Sequence, residues 1–405
     1  MPETYAYKVR DRQGKMLEGT LDADSTTLVA NRLRQMGYVP INIEKAAGAG
    51  IKTEINLFGP KKPKLKDISV FSRQFATMIN SGLSLLRSLY ILSEQTESDG
   101  LKNVIVEVRQ DVEKGASLSQ AMGKHPKVFN KLYVSMVKSG EVGGVLDQVL
   151  LRLSDTIEKQ VELRGKIKSA MTYPCAVLGL VLMIVAAMLL FIVPIFKTLY
   201  DDLGGTLPLP TRLLLVISGI LTKFFPIVIL LIAVLVFLFR RWIKTESGRR
   251  AWDSFKLRIP VFGPLVQKTA ITRFCTTLSA LLRSGVPILE ALDIVSDTVS
   301  NTVMSDAVQD VAQAVKGGES IHKPLQNHKV FPPMVVQMMA VGEETGALDE
   351  MLEKVGKFYE QEVEATVDAL TSLLEPALIV LLGGAVGGMV VSLYMPMFNI
   401  IKLVQ

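Results

Sequence analysis

The stretch Gly140-Glu-Val-Gly-Gly-Val-Leu-Asp147 occurs a second time, as Gly342-Glu-Glu-Thr-Gly-Ala-Leu-Asp349. Outward from it, the correspondence covers residues 71–196 and 274–398. Upstream, Phe71 pairs with Phe274, Ser81-Gly82 with Ser284-Gly285, Leu89 with Leu292, and Gly115 with Gly318. After a single slip of register, Lys127-Val-Phe129 pairs with Lys329-Val-Phe331. Downstream, Pro174 pairs with Pro376, Pro194 with Pro396 and Phe196 with Phe398. Compositional mimicry between two leucine-rich stretches does not hold register over such a length. One structural unit is used twice, and a repeat missed is a fold misread.

Inside each copy the apolar residues follow a helical period. Leu85, Leu89 and Leu92 stand at i, i+4, i+7, as do Ile288, Leu292 and Val295. Leu146, Leu150, Leu153 and Ile157 continue the spacing, matched by Leu348, Leu352, Val355 and Tyr359. Such spacing gathers one apolar stripe on one helix face. Gly82, Gly115, Gly285 and Gly318 follow these runs and read as helix stops. Ser117-x-x-Gln120 reads as a capping box that restarts a helix. Neither copy alternates with period two, so each is an all-α bundle of about five or six helices.

Each copy then enters an uncharged apolar stretch. Residues 175–196 carry no charge over 22 positions, and at 1.5 Å per residue they reach roughly 33 Å, the thickness of a hydrocarbon core. Residues 376–401 are likewise uncharged. Between them, 213–239 is interrupted by Lys223. A lysine at a span centre is costly, so Lys223 is expected near the outer interface with its stem extended outward, and 213–222 in or above that interface. A lysine on an ion pathway is the alternative. Pro194 and Pro396 are expected to bend or end their spans.

Lys159, Arg164, Lys166 and Lys168 precede the first span, and a run from Arg240 to Arg258 follows the second, whereas 197–212 carries only Lys197 and Arg212 beside Asp201 and Asp202. The bias toward positive charge inside puts the N-terminus and both bundles in the cytoplasm. Parity then puts the C-terminus outside. The N-terminal run to Arg12 is polar and does not read as a cleavable signal peptide.

The expected fold is a mostly α, polytopic membrane protein. It has an N-terminal ββαβ module (1–45), a linker (46–66) with the basic cluster Lys61, Lys62, Lys64 and Lys66, and a first cytoplasmic bundle (67–168). A first span (169–199), an extracytoplasmic loop (200–212) and a second span (213–240) follow. A second bundle (241–371) and a third span (372–402) complete it.

The composition excludes more chemistry than it offers. The chain has 405 residues, 49% of them hydrophobic, and a net charge of +6 that membrane flanks account for without nucleic acid. Cys175 and Cys275 are not repeat partners and do not suggest a disulfide. Gly317-Gly-Glu-Ser-Ile-His-Lys323 lacks the spacing of a phosphate-binding loop. His125, His322 and His328 form no metal pattern. No catalytic residue, cofactor site or metal site is expected. Glu141 with Asp147, and Glu343 with Asp349, are the most polar repeated pairs. They suit either a divalent cation or basic partner surface, or the capping of the helix that starts near Val145 or Ala347. Gly383-Gly384-x-x-Gly387-Gly388 in the third span suits close helix packing, within the chain or between protomers.

Further motifs are Phe71-Ser-Arg73-Gln74-Phe, Ala170-Met-Thr-Tyr173-Pro174, Leu207-Pro208-x-x-Thr211, Ile259-Pro260-x-x-Gly263, Glu375-Pro376 and Gly37-Tyr38-x-Pro40. In order, spacing and duplication these resemble the F family, the polytopic inner-membrane platform proteins of type II secretion and type IV pilus machines. The resemblance implies a non-enzymatic platform in a bacterial inner membrane that couples a cytoplasmic hexameric ATPase to the insertion of pilins or pseudopilins into a filament. It also implies contact with other inner-membrane assembly proteins and a homo-oligomer. On this reading Arg73 and Gln74 are candidate partner residues. The second copy departs here, with Phe274-Cys-Thr-Thr277 in place of Phe71-Ser-Arg-Gln74. A transporter or channel built from a repeat is the competing reading, but only one charge lies within the spans, where a substrate path needs polar groups or broken helices.

Overall fold

The computed structural model describes residues 3–10, 16–23, 25–45, 62–202, 209–260 and 262–401. The expected hairpin turn at 11–14 and the linker up to 61 lie outside them. Two compact units divide at residues 61 and 62.

The first unit is the expected ββαβ module. Strands β1 (Glu3–Arg10), β2 (Met16–Ala23) and β3 (Val39–Lys45) form an antiparallel sheet in the order β2-β1-β3. Helix α1 (Thr26–Gln35) starts at Ser25, whose side chain accepts from the Leu28 N–H. Val29 and Leu33, one turn apart, are buried with Tyr5, Val9 and Ala23.

The second unit begins with six helices of the first copy: α2 (Leu65–Asn80), α3 (Leu85–Gln95), α4 (Asp99–Glu113), α5 (Leu118–Gly123), α6 (Lys131–Gly143) and α7 (Leu146–Ala187). After α8 (Val193–Asp202), α9 (Leu209–Lys223), α10 (Phe225–Ile243) and α11 (Glu246–Arg258), the second copy supplies α12 (Phe262–Arg283), α13 (Ile288–Thr298), α14 (Thr302–Lys316), α15 (His322–Gln326), α16 (Pro333–Thr345) and α17 (Leu348–Ile401). Gly82, Gly115, Gly285 and Gly318 all adopt positive φ, as expected of helix stops. Ser117 caps α5 by accepting from the Gln120 N–H at 3.2 Å.

The repeat is visible in the cores. Phe71 and Phe129 lie 5.8 Å apart between ring centroids, and their counterparts Phe274 and Phe331 lie 5.1 Å apart. His125 stands 3.6 Å from Glu107 just as His328 stands 3.5 Å from Asp310. The two bundles are nevertheless not independent bodies. Their buried side chains merge into one apolar core. Lys131 bonds Asp297 at 2.5 Å, the Ser139 hydroxyl donates to the Ser284 carbonyl, and Arg152 donates to the Arg283 carbonyl. Further along, Lys166 on α7 pairs with Glu364 on α17 at 2.5 Å. Helix α12 is consequently buried on almost every side, whereas Val70 and Gln74 on its counterpart α2 are exposed.

The boundaries expected at 168 and 371 fall inside continuous helices. Among the described residues, three helices are long and apolar enough to cross a membrane: Leu146–Phe196, Pro226–Ile243 and Leu348–Met395. The first and third begin in the bundles and stay helical into the apolar stretches. The 54 residues of α17 correspond to roughly 80 Å of rod.

The expected second span is not one helix. It breaks at Phe224 into α9 and α10. Leu214, Leu215 and Leu221 of α9 pack with Val185, Met188, Leu189, Val193 and Leu393, inside the uncharged segments of the first and third spans. Helix α9 therefore packs against residues 185–193 and Leu393, toward the far ends of the first and third spans from the bundles. Lys223 ends α9 with its ammonium 5.8 Å from the Phe224 ring centroid.

Neither proline terminates its span, since helix continues to Asp202 past Pro194 and to Ile401 past Pro396. Before Pro194 the chain widens into a π-helical turn, Met188–Ile192. The Val193 N–H reaches back to the Met188 carbonyl, five residues away. This spares the Leu189 carbonyl, which accepts the buried Ser218 hydroxyl of α9 at 2.5 Å. A π turn there eases the clash of the proline ring with the preceding turn. Ser218→Ala is expected to cost about 1 kcal/mol and to loosen α9, measured as faster protease cleavage within residues 203–208 in detergent. Unchanged cleavage would argue against a clamp by Ser218.

Candidate functional site

The duplicated Gly-Glu-x-x-Gly-x-Leu-Asp motif joins each bundle to its long helix. Gly140 lies near the end of α6 where α7 crosses it. A Cβ at Gly140 would stand 3.1 Å from Leu146 Cα, and one at Gly342 would stand 2.9 Å from Leu348 Cα. Only hydrogen fits between these helices. Gly144 and Gly346 are the C-caps of α6 and α16, at φ +66° and +70°, where a side chain is strained. Leu146 and Leu348 then open α7 and α17.

The glutamates do not cap the helices that follow them. The Glu141 carboxylate accepts the Leu118 N–H at 2.5 Å, the Ser119 N–H at 3.0 Å and the Ser119 hydroxyl at 2.5 Å. It thus caps α5, more than twenty residues upstream. Glu343 accepts the Ile321 N–H at 3.0 Å and lies 2.8 Å from His322 Nδ1, at the start of α15. In both copies the helix end, with its unsatisfied donors, receives a carboxylate from the last part of the helix that follows it, α6 or α16. The aspartates take the other expected role. Asp147 lies in the first turn of α7 and Asp349 in that of α17, where Asp349 also pairs with Arg283 Nε at 3.1 Å. The Glu and the Asp of each motif thus serve two separate helix ends, in line with the capping reading of these carboxylates.

Arg73 is engaged within the chain. Its Nε donates to Glu158 at 2.7 Å and its Nη2 donates to both Glu158 and Asp155, the two acids lying on α7. The hydrogen bonds to Glu158 and then Asp155 raise the guanidinium above its ordinary range, and Arg73 lowers the Glu158 carboxyl despite partial burial. The pair is half open to solvent, so Arg73→Ala is expected to cost only about 0.5–1 kcal/mol, measured by thermal unfolding in detergent. A loss several times larger would mean that the α2–α7 contact depends on this charge. Gln74 is exposed on the outer face of α2. In the second copy Thr276 packs against the position of a Gly356 Cβ, 3.0 Å away, and Thr277 is buried. The long charged and polar side chains of the first copy would not fit here.

Gly383, Gly384, Gly387 and Gly388 have no atom near the positions of their absent side chains. All four are exposed. Among the described residues no neighbouring helix approaches these four positions closely. Thr211, by contrast, is buried and donates its hydroxyl to the Ser392 carbonyl at 2.5 Å, which joins α9 to the third span. Gly263, from another of the quoted motifs, sits where a Cβ would stand 2.3 Å from the Leu257 carbonyl oxygen, so the turn between α11 and α12 requires it. The contacts between bundles escaped the sequence, because they join residues that are not repeat partners.

The site holds two continuous helices, each clipped to its bundle by the same motif and each reaching the membrane region without a hinge. Comparison with known proteins agrees with the duplication. The family model of type II secretion system protein F matches residues 71–194 and 274–396. The model of that protein's N-terminal domain matches residues 1–44. A type IV pilus assembly protein PilC of Thermus thermophilus is 45% identical over 98% of both chains. One of Myxococcus xanthus is 39% identical over 99% of this chain and 96% of its own. A type II secretion system protein F of Xanthomonas campestris is 33% identical over 98% of both.

Proposed function

The chain belongs to the type II secretion system protein F family, and from that premise we propose that it is the non-enzymatic platform of a type IV pilus or type II secretion machine. It sits in the bacterial inner membrane with its N-terminus and both bundles in the cytoplasm and its C-terminus outside. There it couples a cytoplasmic hexameric ATPase to the insertion of pilins or pseudopilins into a filament.

The observation that carries this reading is the continuity of α7 and α17 from bundle to span. A load applied to a bundle reaches the apolar layer along one helical rod, which runs on through Pro174 in the first copy and Pro376 in the second, and no side chain has to do covalent chemistry. The exposed glycines at 383, 384, 387 and 388 suit the close approach of a second protomer or of an apolar partner helix. Other inner-membrane assembly proteins and lipid complete the surroundings.

Deletion of the gene is expected to abolish surface filaments or filament-dependent secretion, while the machine's purified ATPase still hydrolyses ATP. Normal filaments in the deletion strain would overturn the proposal. A periplasmic reporter fused after Gln405 is expected to be active, and a cytoplasmic signal would overturn the orientation.

A further inference from the structure

A cavity of about 160 Å³ opens where α7, α12 and α17 meet. It lies between the two long helices and is walled by three helical faces: Arg152, Lys159 and Leu163 from α7, Thr272, Arg273 and Arg283 from α12, and Glu353, Lys357 and Glu360 from α17. Among all its lining residues the basic side chains are Arg152, Lys159, Arg273, Arg283 and Lys357, and the acidic ones are Asp155, Glu353 and Glu360.

The acids are largely spoken for. Asp155 binds Arg73, and Glu353 binds both Arg283 and Lys357. Glu360, the remaining acid of the lining, has no basic side chain within ion-pair distance among the described residues. Nor do Arg152, Lys159 and Arg273 have a carboxylate within that distance among the described residues: Arg152 donates to a backbone carbonyl, and Arg273 to the Ser300 hydroxyl. Arg273 is the most telling. Burial, with the like charge of Arg164 nearby, pulls its guanidinium down to about 10. A cation held away from water beside another cation is destabilised unless an anion joins it.

We infer that this cavity is a binding site for a small phosphorylated anion, held by Arg273, Arg152 and Lys159 between the bundles. The volume corresponds to about five water molecules, which suits one or two phosphoryl groups rather than a whole nucleotide. The groups belong either to a free inorganic anion or to the phosphate end of a nucleotide whose base remains outside. Arg152 comes from α7 and Arg273 from α12, and a guanidinium offers forked donors suited to phosphoryl oxygens. Because the walls are α7, α12 and α17, the occupant would tie the first copy's long helix to the second copy's and fix the angle between them.

The test is calorimetric titration of the full-length protein in lipid nanodiscs with inorganic phosphate, inorganic diphosphate and ADP. Diphosphate is expected to bind once per chain. Arg273→Gln and Lys159→Gln are each expected to weaken it about tenfold or more, and Arg87→Gln, a basic residue on α3 away from the cavity, is expected to leave it unchanged. Lys159 is exposed, so its variant reports on the site even if the Arg273 variant folds poorly. ADP tighter than diphosphate would support the site with a nucleotide as source, and equal affinities would support it with a free anion. No binding at millimolar concentration, binding indifferent to Lys159→Gln, or equal weakening by Arg87→Gln would overturn the inference.

Discussion

Gly342→Val is expected to destabilise the protein by about 2–3 kcal/mol. The reason lies in backbone against backbone. A Cβ at this position would stand 2.9 Å from Leu348 Cα and 3.2 Å from Met351 Cβ. The Leu348 Cα belongs to the first turn of α17 and cannot swing aside as the tip of a flexible side chain would. Relief requires α16 and α17 to separate along their crossing, which opens the core around Met339 and Leu352. Valine brings some helix propensity over glycine, a few tenths of a kcal/mol, too little to offset the clash. Gly346→Ala is the internal comparison. Nothing lies near its absent Cβ, and only its φ of +70° opposes a side chain, so it should cost about 1 kcal/mol. Thermal unfolding in detergent ranks the two. If Gly342→Val unfolds with Gly346→Ala or above it, the crossing is looser than described.

Glu141→Ala should cost about 2 kcal/mol. It leaves the Leu118 and Ser119 N–H groups at the start of α5 without their acceptor. Helix α5 has only six residues and depends more on its cap than on its own hydrogen bonds. Glu141→Gln keeps one oxygen and should recover part of the loss. The measurement is amide hydrogen exchange at Leu118 and Ser119, where protection should fall in the alanine variant first. Unchanged protection would mean that Ser117 alone holds the helix end. Glu343→Ala should act in the same way on Ile321 in the second copy.

These two positions also show what was legible in the sequence. The helices were, because their apolar faces follow the period that the backbone imposes, as at Leu85, Leu89 and Leu92. Their stops were, because few residues other than glycine enter positive φ cheaply. The first and third spans followed from length and absence of charge. The role of Glu141 was not legible, because its partner is close in space and distant along the chain. Sequence proximity pointed to the helix after it. The break at Phe224 was hidden for a different reason: α9 buries its polar groups by bonding Ser218 and Thr211 to carbonyls that only the folded spans bring near. The joining of the bundles was hidden because it matches unlike surfaces of two like units, as in Lys131 with Asp297.

The π turn before Pro194 has a consequence for orientation around the helix axis. Each residue of an α-helix advances the azimuth by about 100°. A π turn spends one more residue on a turn, so everything beyond it lags by roughly that angle. The second copy has the same number of residues between Pro376 and Pro396 as the first has between Pro174 and Pro194, and its helix has no such turn. Matching positions in the outermost turns therefore point in different compass directions. Two rods that begin as copies in the bundles leave the apolar layer out of phase. Any helix approaching from outside meets two different faces written in one repeated sequence.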